Sequence, residues 1–168
     1  MALDILRNAI CIADGVRIAS STTLRLPKLK MKTEKDYFGG SDGETEAEYG
    51  LQAMEAMLKV GALEPGLLAQ TALAPGMLKS YRFNAATVGE RSGTVGNVRV
   101  RILGKIADND PGDWKHGSKS EWDYRIIVKS YKLTIGDRLI HDIDPENFIR
   151  VVDGVDQLAA IRDALEIG

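Results

Sequence analysis

Two stretches of this chain alternate apolar and polar residues with period two, and no other feature restricts its fold as strongly. In the first, Val98, Val100, Ile102 and Ile106 fall on one side and Arg99, Arg101 and Lys105 on the other. In the second, Trp122, Tyr124, Ile126 and Val128 alternate with Asp123, Arg125 and Lys129. Side chains of an extended strand point alternately to opposite faces, so each pattern describes a strand with one buried and one wet face. Tyr81, Phe83 and Ala85 mark a further strand after Lys79.

Turn chemistry separates these runs. Asp14-Gly15 between the apolar stretches of residues 10–20 predicts a tight hairpin, and Gly136-Asp137 predicts a second one after Tyr131. At the end of the chain, Asp153 or Gly154 caps a helix with Asp156 in its first turn. Val155, Leu158, Ile161 and Leu165 recur there at helical spacing, which puts Leu158, Ile161 and Leu165 in the core and Arg162, Asp163 and Glu166 outside. A shorter helix is predicted over residues 65–73, bracketed by Pro65 and Pro75. Residues 47–60 are built of strong helix formers, and propensity alone predicts a helix. The expected fold is therefore mainly β: an antiparallel β-sandwich or barrel-like body with one or two short helices, one of them C-terminal. A chain of 168 residues suits a single domain, 1–168.

Little in the sequence carries reaction chemistry. The two histidines, His116 in a predicted loop and His141 in a predicted strand, belong to no HxxxH pattern, and Cys11 has no second cysteine to join in a metal site or a disulfide. A lone cysteine fits a reducing compartment and a small buried residue. The run of residues 108–114 lacks the Asp-x-Asp-x-Asp-Gly spacing of a calcium loop and reads as a turn. Gly89 to Gly96 lacks the Gly-Lys-Ser/Thr of a phosphate loop and reads as a hairpin tip. With no Gly-x-Ser-x-Gly elbow either, no catalytic, metal or cofactor site is expected, and the chain is expected not to be an enzyme. The 22 Lys and Arg nearly cancel 24 Asp and Glu, so contact with a polyanion or a membrane must be local. No apolar run is long enough to insert in a membrane, and Asp4, Arg7, Asn8 and Asp14 interrupt the start where a signal peptide would be continuous, so a soluble protein is expected.

One charge pattern stands out. Lys28, Lys30 and Lys32 alternate with Leu29 and Met31, and Glu44, Glu46 and Glu48 alternate with Thr45 and Ala47, so each set marks one face of a strand. A hairpin with Lys32 opposite Glu44 would pair Lys30 with Glu46 and Lys28 with Glu48. Between the two strands, Tyr37 and Phe38 sit beside Gly39 and Gly40 in a loop where exposed aromatics suggest an interface.

The last sixty residues resemble the tail tube proteins of contractile-tailed bacteriophages and R-type pyocins. The resemblance rests on Asp110-Pro111-Gly112, on Tyr131-Lys132-Leu133, on Asp142 to Asn147 (DIDPEN) and on Asp153 to Ala159 (DGVDQLA). Here Ser130 stands where the family usually has a tyrosine, and Asp153 where it has asparagine. Weaker matches extend forward: Leu26-Pro27-Lys28-Leu29, Gly39-Gly40, and Gly50 to Ala56 (GLQAMEA).

The resemblance implies a structural subunit that forms hexameric rings, with strands joined between subunits into an inner barrel. It makes residues 50–57 a strand of that barrel, against their helix propensity. The rings stack into a hollow tube for passage of DNA into the host. Implied partners are other copies of the chain, a sheath, and tape measure, baseplate and tail-terminator proteins. The implied place is a virion tail, or a tail-like particle, assembled in the bacterial cytoplasm. On this reading Lys28, Lys30, Lys32, Glu44, Glu46 and Glu48 face the lumen, and the loop of Tyr37, Phe38, Gly39 and Gly40 docks on the next ring. Two other readings stay open: a tube subunit of a DNA-free contractile particle, and a monomeric β-sandwich that binds through an exposed loop.

Overall fold

The computed structural model describes residues 4–37, 39–40, 42–71 and 77–167. The strands are β1 (Asp4–Ala13), β2 (Val16–Ile18), β3 (Ser21–Arg25), β4 (Met31–Asp36), β5 (Thr45–Leu51), β6 (Met54–Val60), β7 (Lys79–Gly89), β8 (Val95–Asp110), β9 (Trp122–Ile135), β10 (Arg138–Asp144), β11 (Ile149–Val152) and β12 (Val155–Asp156). Two short helices, α1 (Pro65–Leu68) and α2 (Ala159–Ala164), and a 3-10 turn at Pro145–Asn147 complete the described elements. Every strand pairing is antiparallel.

The long alternating strands organise the molecule because each takes part in two sheets. β9 pairs with β6 over Trp122–Val128 and with β10 over Tyr131–Ile135. β8 pairs with β9 for most of its length but with β7 only from Val95 to Gly104. The result is a short sheet, β3-β6-β9-β8, diverging from a wide one, β12-β11-β10-β9-β8-β7-β1-β2. Between them lie Tyr81, Phe83, Val100, Ile102, Ile106, Tyr124, Ile126, Met54, Ala56 and Leu58, all buried. Each large apolar side chain among them contributes about 1.5–3 kcal/mol of transfer free energy.

A β-bulge lets β9 serve both sheets. The β8–β9 register shifts between Leu103/Ser130 and Gly104/Val128, leaving Lys129 as the extra residue. The buried side of β9 accordingly changes from Trp122, Tyr124, Ile126 and Val128 to Tyr131. At this point the backbones come close: a Cβ on Gly104 would sit 2.3 Å from the Ile127 carbonyl oxygen.

Both predicted hairpins form, with Asp14 and Gly15 at positive φ between β1 and β2, and Gly136 likewise between β9 and β10. Residues 89–96 turn β7 into β8. Near residue 110, the Asp110 carboxylate accepts the Gly112 amide at 2.9 Å. Cys11 is buried, and that burial pushes its thiol up to about 12. Residues 47–60 are two strands, the end of β5 to Leu51 and β6 from Met54, broken at Gln52 and Ala53, and not a helix. Met54, Ala56, Leu58 and Val60 face the core, and pairing to β3 and β9 overrides their propensity.

Both helices differ from expectation. α1 stops at Leu68 instead of continuing to residue 73. The closing helix begins at Ala159, because Asp153 and Gly154, both at positive φ, form a tight turn that adds the short strand β12 first. Its apolar residues are not core: Leu158 is half-buried, while Ile161 and Leu165 are 49% and 52% exposed. The inner side is taken by Arg162, which donates to the Phe148 carbonyl at 2.8 Å and to the Asp156 carboxylate at 2.5 Å. That guanidinium, with the Leu158 amide, holds the Asp156 carboxyl below its ordinary range, as Arg138 does for Asp153.

Candidate assembly surfaces

Among the described residues the short sheet ends in two unpaired edges. β3 pairs with β6 alone, and β8 beyond Ile106 pairs only with β9 among the described residues, apart from one parallel bridge from Thr71 to Ile106. An exposed strand edge is a template for another strand, and natural proteins cover such edges or use them. Beside the β3 edge an apolar cleft of about 300 Å³ opens toward β1, lined by Leu6, Ile10, Leu24, Leu26, Phe83 and Val98 among others. There β1 has β7 on one side only from Asp4 to Ile10, since β2 reaches no further than Cys11. Leu6 is 60% exposed.

The wet face of the short sheet carries balanced charge. Strand register aligns Arg25, Met57, Arg125 and Asp108 in one row, Thr23, Lys59, Asp123 and Asp110 in the next, and Glu55, Ile127 and Lys105 in a third. Four cations, Arg25, Lys59, Lys105 and Arg125, thus stand among four carboxylates, Glu55, Asp108, Asp110 and Asp123. Arg125 bridges Glu55 at 2.6 Å and Asp108 at 2.7 Å, and Lys59 lies 3.4 Å from Glu121 and 3.6 Å from Asp123. Hydrogen bonds to these carboxylates raise the Arg125 and Lys59 pKa values. Each strand taken alone shows only alternating polar residues; the balance arises from pairing between β3, β6, β8 and β9, which single-strand patterns do not reveal.

The predicted charged hairpin exists with a different register. β4 and β5 form a separate two-stranded sheet that continues β3 and β6 outward, tied at its base by the Gln52 amide donating to the Lys30 carbonyl at 2.8 Å. Lys35 opposes Glu46 and Thr33 opposes Glu48, so the expected Lys32–Glu44, Lys30–Glu46 and Lys28–Glu48 pairs do not form. Two causes account for the shift. The strands pair inward as far as Asp36 and Thr45, which leaves a shorter loop, residues 37–44, displaced toward the C-terminus, and a bulge at Tyr49 lets Gly50, at φ +133°, oppose Lys32. Lys28 and Lys30 precede β4 and are exposed.

Glu44, Glu46 and Glu48 do share a side, next to Lys35, which lies 3.5 Å from Glu44, whereas Lys32 turns the other way to Glu34 at 3.3 Å. At the tip, Tyr37 is 71% exposed and Gly39 and Gly40 form a turn; Phe38 lies outside the described residues.

The family model of phage tail tube protein FII matches residues 4–165. The major tail tube protein of Serratia phage KSP20 is 30% identical over 144 residues, 84% of this chain and 82% of its own length. The tail tube protein of Escherichia phage P2 is 27% identical over 148 residues, 86% of this chain and 85% of its own. Among solved structures, a chain of the sheath-tube complex of the PVC extracellular contractile injection system aligns with TM-score 0.54 at 8% identity, over 75% of this chain and 87% of that one. A chain of the tube-terminating cap of the anti-feeding prophage aligns with TM-score 0.52 at 13% identity, over 76% and 86%. At these identities the structures share the fold. The sequence matches run through both sheets and the β4–β5 hairpin, and on them this chain, a structural protein and not an enzyme, belongs to the phage tail tube protein FII family.

Proposed function

We propose that six copies close into a ring by joining the β3 edge of one copy to the β8 edge, residues 107–110, of the next. The observation that carries this is the pair of open edges on one antiparallel sheet. Strand direction alternates through β3, β6, β9 and β8, so a following β3 continues the alternation without a break. Closure removes both edges from solvent, which no single copy can do alone. It also brings a neighbour against the apolar cleft beside Leu6 and Leu24.

In such a ring the wet face of the short sheet lines a lumen. Its balanced charge suits the passage of DNA, since unpaired lysines or arginines would hold phosphates by counterion release. The β4–β5 hairpin extends that wall, with Glu44, Glu46 and Glu48 on one of its sides, Lys32 on the other and Lys28 and Lys30 just before it, and Tyr37 to Gly40 at its tip dock on the next ring. An isolated two-stranded sheet is marginal in water, which supports a second copy covering this one. Stacked rings form the tube, with a sheath outside, a terminator and a baseplate at its ends, and a tape measure protein within, in a tail assembled in the bacterial cytoplasm.

Negative-stain electron microscopy of concentrated protein tests the reading. Hollow rings of sixfold symmetry and stacks of them are expected. A protein that stays monomeric at every concentration, by gel filtration and in images, would overturn it in favour of a monomeric binding module.

A further inference from the structure

The outward face of the wide sheet is charged very differently from the wall just described. Strand register places Arg17 of β2, Ile12 of β1, Arg82 of β7, Arg101 of β8, Lys132 of β9 and Asp142 of β10 in one continuous row. The row continues through Val151 of β11 to Asp156 of β12, so four cations at one end share it with two carboxylates at the other; Asp142 pairs with Lys132 at 2.7 Å and Asp156 with Arg162 at 2.5 Å. Arg99 stands in the adjoining row between Asn84 and Thr134, its guanidinium donating to the Gly136 carbonyl at 2.9 Å. A cleft of about 150 Å³ lies among Arg99, Arg101, Lys132 and Thr134.

Arg82 and Arg101 are directly opposite one another, an arrangement of like charge that weakens a sheet unless an anion relieves it. Strands lie about 4.8 Å apart, so the row from Arg17 to Lys132 crosses four spacings and runs for about 19 Å. We infer that this row is a docking surface for an acidic protein segment laid across the strands, with one carboxylate seated in the cleft between Arg99, Arg101 and Lys132. A protein carboxylate is favoured over a nucleic-acid phosphate because the row lies on the opposite side of the sandwich from the face assigned to the lumen. The planar guanidinium forks of Arg82, Arg99 and Arg101 can hold an oxyanion in bidentate geometry, and the comparison of polyglutamate with a DNA duplex decides which. That the row looks outward, toward a protein that surrounds the tube, rests on the reading of this chain as a tube subunit.

Fluorescence anisotropy of labelled poly-L-glutamate titrated with the full chain at low salt tests the site. The unaltered protein binds; Arg82→Gln with Arg101→Gln weakens binding about tenfold or more, as loss of two charge-assisted contacts requires. Lys119→Gln, in a loop away from the row, leaves it unchanged. Asp142→Asn, which removes the carboxylate paired with Lys132, tightens binding, and this arm stands even if the double variant fails to fold. No binding, an unchanged affinity in the double variant, weaker binding by Asp142→Asn, or tighter binding of a short DNA duplex than of polyglutamate would each overturn the proposal. The titration does not depend on ring closure, and images of the same samples report tubes separately, so failure of one reading is distinguishable from failure of the other.

Discussion

Gly104 shows how one residue can hold two sheets together. It sits where β8 passes the bulge of β9, and a methyl group there would meet the Ile127 carbonyl oxygen at 2.3 Å and the Ile126 side chain at 3.0 Å. Backbone cannot yield as a flexible side chain can, so Gly104→Ala should destabilise the chain by about 1–3 kcal/mol. A thermal melt lowered by several degrees is the expected result; an unchanged melt would mean that the strands separate here at no cost. Nothing in the sequence singles out this glycine, because the contact that excludes a side chain comes from a strand more than twenty residues away. Cys11 was readable as a small buried residue, since an unpaired cysteine in an apolar run has few other places to be. The pairing of Lys32 with Glu44 was not: alternation fixes which side of a strand a residue takes, while register depends on the loop and on the Tyr49 bulge. Alternation did correctly group Glu44, Glu46 and Glu48 on one side.

Among elements, the strands were legible and the helices were not. Val98 to Ile106 and Trp122 to Val128 declare themselves because half-buried strands repeat every second residue. That residues 50–57 are extended follows from the resemblance alone, since their own propensity points to helix; the break at Gln52 and Ala53 between β5 and β6 is not foreseen by either. The closing helix misled in the opposite way. Val155, Leu158, Ile161 and Leu165 have helical spacing, yet Val155 lies in a strand and Arg162 takes the inner side by its bonds to Asp156 and Phe148. An apolar stripe on a short helix therefore does not identify the face that the free chain buries. Ile161→Asp should change the stability of the free chain by no more than about 0.5 kcal/mol, as for surface substitutions generally. Leu158→Asp should lower it more, because Leu158 is half-buried beside Met31, Leu51 and Ile149. Equal, large losses at both positions in thermal melts would put Ile161 back in the core.

At the scale of the whole molecule, the account joins charge and topology. One sheet presents a balanced wet face between two edges that are unpaired among the described residues; the other presents a row of cations on its far side. Composition hides both, because the charges of the chain nearly cancel and only strand pairing separates them in space. The central claim is that the β3 edge meets residues 107–110 of β8 in the next copy. Disulfide trapping tests it most directly, with Thr23→Cys combined in turn with Asp108→Cys and Asp110→Cys, because ring shear offsets the register by an amount a single subunit does not specify. Native Cys11, buried and protonated, stays out of the exchange. On oxidation of the assembled protein, one of the two pairs should give a ladder of covalent oligomers that ends at six copies. Chains that remain uncrosslinked in both pairs while tubes are visible in the same sample would contradict the claim.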